Sequence, residues 1–398
     1  MKTKYLYYRT RQLLTHSFMA LYSIPKPTLI KGTDSITKLP LLLEKEGFNN
    51  ALLVTTPGFL KRGSLEKLFY LCKQSKIRLS IFSDVSPDPT IGSIEKGVLQ
   101  YQEHKCQCVI AIGGGSVMDC AKIIAARIAK PNQSVPAMTG LLKIHAKIPA
   151  LFAVPTTAGT GSECTAGAVI TDEINHYKHP VCDFCLIPKY AILDPELTCS
   201  LPASITSVTG MDALTHAIEA YINCFGSKQV KIAASKCVKL VYENLLSAYQ
   251  DGENRIAREN MLLAAYYGGI SINHNYVGYV HAIAHALGGL YGIPHGSANA
   301  TILPIALNFY GHHVYRPLSE LADVIGISGS SQEEKAQKFI ASIRSLNQQL
   351  DIPQRIMQLR EEDYDVITKR ALLEANPTYP VPVILDKKEL TRLLQMLG

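Results

Sequence analysis

Up to about Leu201, short continuous apolar runs alternate with stretches whose apolar positions recur every three or four residues. Residues 28–30, 51–56, 78–82, 108–112, 148–154 and 190–193 read as strands, and 169–171 as a further one. Residues 35–47, 64–73, 91–103 and the segment opening at Val117 carry helical periodicity. Pro57-Gly58 and Pro87-Asp88-Pro89 mark points where strands give way to loops. Strands that alternate with helices pair in parallel, so this half is expected to be a doubly wound α/β domain. From about Leu201 the pattern turns helical, over 205–221, 230–249, 255–270, 277–287 and 298–309, then on to the C-terminus. Two domains follow: an α/β domain at 1–200 and an all-α domain at 201–398. A chain of 398 residues exceeds one typical core, which agrees.

Composition narrows this picture. Hydrophobic residues make up 47% and charged residues 18%, which fits a large core and excludes global disorder. The net charge is +7, but its basic residues are scattered and not interleaved with aromatics. Nucleic acid is therefore not an expected partner, although an anionic cofactor is attracted. No apolar run is long enough to span a bilayer, so membranes are not expected either. All ten cysteines precede Val238, and Cys106-x-Cys108 and Cys182-x-x-Cys185 are the tight pairs. One CxxC without a partner pair is not the pattern of structural zinc. Scattered cysteines without a secretory signal fit a reducing, cytoplasmic setting. The chain carries Lys2, Lys4, Arg9, Arg11, Lys26 and Lys31 before its first acid, Asp34. That charge resembles a transit peptide. The segment is poor in Ser and continues directly into strand-like sequence, so it reads as an N-terminal arm.

Two stretches carry metal-binding chemistry. In Gly210-Met-Asp-Ala-Leu-Thr-His-Ala-Ile-Glu-Ala220, Asp212 and His216 stand four apart, on one face of a helix. A carboxylate and an imidazole so placed can chelate a divalent ion. The second stretch, from Val280 to Gly296, contains His281, His285 and His295 among apolar residues. His281 and His285 again share a face, and Gly288-Gly289 can end their helix. Three histidines expected to be buried, near an Asp–His helix, favour a metal. Spacing does not decide which of the three are ligands.

A third stretch suits phosphate. Gly113-Gly114-Gly115-Ser116 follows a strand and opens a helix. Bare glycines let backbone N–H groups approach oxygens, and a helix N-terminus favours negative charge. The run is neither the usual dinucleotide fingerprint, since Met118 stands at its last glycine position, nor a P-loop. Pro155-Thr-Thr-Ala-Gly-Thr-Gly-Ser-Glu163 adds hydroxyls at another strand end, where open α/β sheets bind ligands.

Taken with Asp194-Pro-Glu-Leu-Thr198, these stretches resemble the iron-containing (group III) alcohol dehydrogenases in order and spacing, over roughly residues 28 to 395. The resemblance implies a dinucleotide-binding α/β domain with a parallel, dehydroquinate-synthase-like sheet, an all-α C-terminal domain and an active site in the cleft between them. It implies metal ligation by Asp212, His216, His281 and His295, with Fe(II) first and Zn(II) or Mn(II) as substitutes. It sets His285 near the nicotinamide, as the candidate proton relay. Gly114, Gly115 and Ser116 are implied at the pyrophosphate of NAD or NADP, with Asp119 nearby, and Thr156, Thr157, Thr160 and Lys178 at the nicotinamide half. Thr56 stands where NAD-preferring members often carry Asp, Asp88 where many carry Asn, and Ile305 where many carry His. The first two bear on cofactor choice. The implied reaction is hydride transfer between a small alcohol or aldehyde and the nicotinamide cofactor. A homodimer is left open as the assembly. Three rivals remain at this level: a lyase or cyclase of the dehydroquinate-synthase type, a non-haem iron oxygenase and a catalytically silent binding protein.

Overall fold

Six strands, β1 (Thr28–Lys31), β2 (Asn50–Val54), β3 (Arg78–Phe82), β4 (Cys108–Gly113), β6 (Ala150–Pro155) and β9 (Tyr190–Leu193), form one sheet in the order β1-β9-β6-β4-β2-β3. Every pair in it is parallel. The chain is seen in a computed structural model that describes residues 2–19, 23–174 and 177–398, without the side chains of 2–4, 19, 177 and 178. Alternate residues along each strand serve opposite faces. Leu52, Val54, Val109, Ala111, Leu151 and Ala153 pack with Ile94, Val98 and Ile124, from the helices Ile91–Glu103 and Gly115–Ala129. Ala51, Leu53, Ile110, Ile112, Phe152 and Val154 pack with Leu39, Leu43, Leu68 and Cys72, from the helices Leu39–Lys45 and Glu66–Gln74. Both faces are covered, which is why the strands read as continuous apolar runs.

The strand order reverses between β2 and β4. The connection after β2 leads outward to β3, whereas the one after β4 leads the other way to β6. Crevices form beyond the carboxyl ends of strands at such a point. Gly113 pairs with Pro155, so the glycine loop and the Thr156–Glu163 segment leave neighbouring strands at one level.

The sheet alone does not account for this half. Residues 169–171 fall in β7 (Gly167–Asp172), which pairs antiparallel with β8 (Tyr177–Cys182). With β5 (Gly140–Leu141), these make a separate small sheet. The backbone hydrogen bonds of an expected strand went to a hairpin partner that apolar patterning did not single out.

Residues 24–200 group into one unit, and 1–23 with 201–398 into another. In the second unit, the N-terminal helix Lys2–Met19 is tied down by Arg9 Nη2 donating to Pro382 O at 3.0 Å and Gln12 Nε2 donating to Asn376 O at 2.8 Å. The helix Ala203–Ile222 runs through the middle, packed on Lys228–Gln250, Arg255–Asn275 and His295–Tyr310. Every residue from Met211 to Ile222 is buried. A further helix, Tyr279–Tyr291, passes Gly288-Gly289 and stops at Gly292, whose φ of 67° is open to glycine without a Cβ penalty. The expected stop was therefore early, because the capping bond, Gly292 N to Gly288 O, is made one turn later. Among the described residues no helix is long and apolar enough to cross a membrane.

Candidate active site

Burying a carboxylate inside a helix is costly unless something compensates it. The helix Ala203–Ile222 buries two, Asp212 and Glu219, with His216 between them. Asp212 and His216 share a helix face, as their spacing requires. The helix Tyr279–Tyr291 brings His281 to the same place, with its ring stacked on that of His216 at 4.6 Å. Donor atoms of Asp212, His216 and His281 all lie within 4.8 Å of one another. His295, the first residue of the helix His295–Tyr310, puts Nε2 3.4 Å from Asp212 Oδ1, and His281 Nε2 lies 3.7 Å from the same oxygen. A tetrahedral ion with ligands near 2.1 Å has edges of about 3.4 Å, so these separations suit one cation.

The electrostatics agree. Burial opposes ionisation of Asp212, but the charges of His216, His295 and His281 outweigh it and hold its carboxyl far below the usual range. Burial likewise opposes a charged His281, yet Asp212 and Glu219 raise its pKa to about 9. The carboxylates thus demand positive charge here. His281 Nε2 is buried and has no hydrogen-bond partner among the described residues. A donor nitrogen facing a carboxylate and a stacked imidazole, in a site that demands positive charge, could take a divalent ion at Asp212, His216 and His281, with the half-exposed His295 at its edge.

His285 stands apart from the buried group. Its Nδ1 donates to Glu374 Oε1 at 2.8 Å, and the Tyr379 hydroxyl donates to that same oxygen at 2.8 Å. Its ring stacks on His295 at 5.1 Å. Sequence reasoning missed Glu374, Tyr379, Glu219 and Asn299, whose Nδ2 donates to Asp212 Oδ1 at 2.8 Å and lies 3.0 Å from His295 Nε2. Glu219 alone left a signal, as an acid three residues past His216 in an apolar helix.

Close backbone approach sets His295. A Cβ on Gly296 would collide with the carbonyl oxygen of Val208, in the neighbouring helix. Gly296→Ala is expected to push these helices apart, costing about 1–3 kcal/mol of stability. Thermal unfolding read beside metal affinity checks this. Unchanged values for both would mean the contact relaxes freely.

In the α/β unit, the helix Gly115–Ala129 begins directly after β4 and aims its first N–H groups past the strand end. A Cβ on Gly114 would lie 3.2 Å from Thr157 Oγ1, and one on Gly115 2.9 Å from Thr160 Cγ2. Only glycines leave this cradle open beside the two hydroxyl residues. Thr156 is buried, and its N–H donates to Gly113 O at 3.0 Å. Ser116 donates its hydroxyl to Pro87 O, which links the loop to the segment holding Asp88. Asp119 accepts from the Ser162 hydroxyl and the Val169 N–H, both at 3.0 Å. Lys122, fully buried, donates to Ser162 Oγ, Thr165 O and Gly167 O. These two residues brace the loop that carries Thr157 and Thr160. Thr56 caps the short helix Pro57–Leu60, accepting from Phe59 N at 3.2 Å. Asp88 is exposed. Lys178 pairs with Thr171 through the strand backbone, and its side chain lies outside the described residues.

Comparison with known proteins bears on this chemistry. Residues 26–195 match the family model described as iron-containing alcohol dehydrogenase, and residues 206–397 match that of the C-terminal part of the Fe-containing alcohol dehydrogenase family. Alcohol dehydrogenase 4 of Schizosaccharomyces pombe is 35% identical over 368 residues, which is 91% of this chain and 86% of the relative. 1,3-Propanediol dehydrogenase of Klebsiella pneumoniae is 34% identical over 362 residues, 89% of this chain and 93% of the relative. A crystal structure of a 1,3-propanediol oxidoreductase superposes with a TM-score of 0.91 at 32% identity, covering 95% of this chain and all of that one.

Proposed function

The chain belongs to the iron-containing alcohol dehydrogenase family, and from that premise we propose that it transfers a hydride between a small alcohol or aldehyde and NAD or NADP. Asp212, His216, His281 and His295 would hold the metal, Fe(II) first and Zn(II) or Mn(II) as substitutes. The buried cluster of Asp212, His216 and His281, with donor atoms within 4.8 Å of one another, carries this reading, and His295 joins it on the 3.4 Å between its Nε2 and Asp212 Oδ1. A divalent metal supplies Lewis-acid stabilisation of charge on the alcohol oxygen, and the nicotinamide supplies the hydride acceptor or donor. The protein's own part is orientation and proton handling. Glu374 fixes the Nδ1 proton of His285 and leaves Nε2 to take or give the alcohol proton. The open cradle at Gly114 and Gly115 and the start of the following helix suit a pyrophosphate, with Ser116 and the braced loop of Thr156, Thr157 and Thr160 beside it. Lys178 completes the nicotinamide half of this assignment. A cytoplasmic setting is supported by cysteines that form no disulfide among the described residues.

The deciding assay follows nicotinamide absorbance with purified, Fe(II)-loaded protein over a panel of alcohols and aldehydes. Turnover with small members of the panel is expected. Absence of turnover with either cofactor across the panel would overturn the proposal.

Cofactor choice turns on Thr56 and Asp88. An acid after the second strand accepts hydrogen bonds from the ribose 2′-hydroxyl and repels a 2′-phosphate. A neutral Thr56 removes that repulsion, so NADPH is expected to be accepted, while Asp88 is the acid left to favour NAD. Asp caps a helix as well as Thr does, so Thr56→Asp changes the charge and spares the fold. Its kcat/KM ratio is expected to shift toward NADH by on the order of tenfold or more, about 1.4 kcal/mol. Strict NADH use by the unaltered enzyme, with no response to the substitution, would remove the argument.

A further inference from the structure

Glu219 lies outside the four-ligand set, yet its carboxylate touches the set directly. Oε2 accepts from His281 Nδ1 at 2.6 Å and from the Gly278 N–H at 2.9 Å, and Oε1 accepts from the Val280 N–H at 2.8 Å. Both oxygens are thus engaged, in a residue that is 1% exposed. Two of the three donors are backbone groups at the start of the helix Tyr279–Tyr291, where N–H groups lack intrahelical partners and negative charge is favoured. Gly278 belongs to the same arrangement, since a Cβ there would come within 2.6 Å of Glu219 Oε1. One carboxylate, held on the helix of Asp212 and His216, therefore anchors the helix of His281 and grips that histidine's ring.

We propose that Glu219 is a positioning residue for the metal centre. Its acceptor oxygen keeps the His281 proton on Nδ1, so that the Nε2 lone pair faces Asp212 and His216. The same bond stops the ring from turning and makes Nε2 a more basic donor. The proposal rests on the reading of Asp212, His216, His281 and His295 as metal ligands. A neutral amide at position 219 cannot serve all three donors. With its oxygen at the Oε2 place it still accepts from His281 and Gly278, but without the charge that makes Nε2 more basic, and its NH2 meets the Val280 N–H; flipped, its NH2 meets the Nδ1 proton, and His281 must rotate or move that proton to Nε2 and lose the ligand lone pair.

The test uses the full-length protein stripped of metal with a chelator and titrated with Co(II), against a competing chromophoric chelator. Affinity, the Co(II) absorption bands and the melting temperature of the metal-free protein are read for the wild type, Glu219→Gln, Gly278→Ala and His281→Ala. Glu219→Gln is expected to bind one Co(II) about 10–100-fold more weakly, with shifted absorption bands. Gly278→Ala, which displaces the carboxylate without discharging it, is expected to move affinity in the same direction and serves if Glu219→Gln does not fold. A lower melting temperature with unchanged affinity and bands would make Glu219 a helix anchor only and overturn the proposal. Wild-type affinity in His281→Ala would instead overturn the ligand reading, and the role of Glu219 with it.

Discussion

His281→Ala is expected to cost the protein its metal. The residue contributes a buried nitrogen 3.7 Å from Asp212 Oδ1, against a stacked His216. Losing an outer partner of a ligand typically weakens binding 10–100-fold, so removing the ligand itself should cost on the order of 100-fold or more. The substitution also takes one of three hydrogen-bond donors from Glu219, leaving its buried carboxylate to the Gly278 and Val280 N–H groups, which adds about 1–3 kcal/mol of destabilisation. Metal analysis after dialysis, paired with turnover, is the measurement. Full occupancy with unchanged activity would sink the ligand assignment.

The second large effect separates His285 from that group. His285→Ala is expected to keep its metal and lose turnover by roughly 10²–10⁴-fold, the usual contribution of a positioned acid–base group. The reason lies in its surroundings. Its Nδ1 is bound by Glu374 at 2.8 Å, whereas His281 and His295 each place Nε2 within 3.7 Å of Asp212 Oδ1. Steady-state kinetics beside metal content decides this. If the variant purifies without metal, His285 is itself a ligand and its assigned role is wrong.

Much of the α/β half was legible because its signals are local. Continuous apolar runs and helical periods report burial on one or both faces, and six of the seven expected strands appear in the main sheet within two residues at each end. Exceptions arose where partners are distant. Val169–Thr171 was read correctly as extended, but whether an extended segment enters the main sheet or turns back into a hairpin depends on its hydrogen-bond partner. The helix stop at Gly292 was misplaced because glycine is tolerated inside a helix that packing supports, as Gly288 and Gly289 are.

The sequence by itself determined which side chains share a helix face. Asp212 with His216, and His281 with His285, follow from 3.6 residues per turn and from nothing else. It also determined that the strand, glycine run and helix at Cys108–Ala129 would form a phosphate-suited turn, because those preferences are local. Only the tertiary structure decided that His281, and not its helix neighbour His285, points among the buried donors. Two residues one turn apart differ by a small angle on the helix surface. Which of them meets Asp212 depends on how Tyr279–Tyr291 packs, and that packing is fixed partly by Glu219, some sixty positions earlier in the chain. Periodicity reports the face a residue occupies but is silent on the group opposite it, which is why Asn299 and Glu374 became visible only once the helices were packed, and Glu219 showed in the sequence as no more than an acid in an apolar helix.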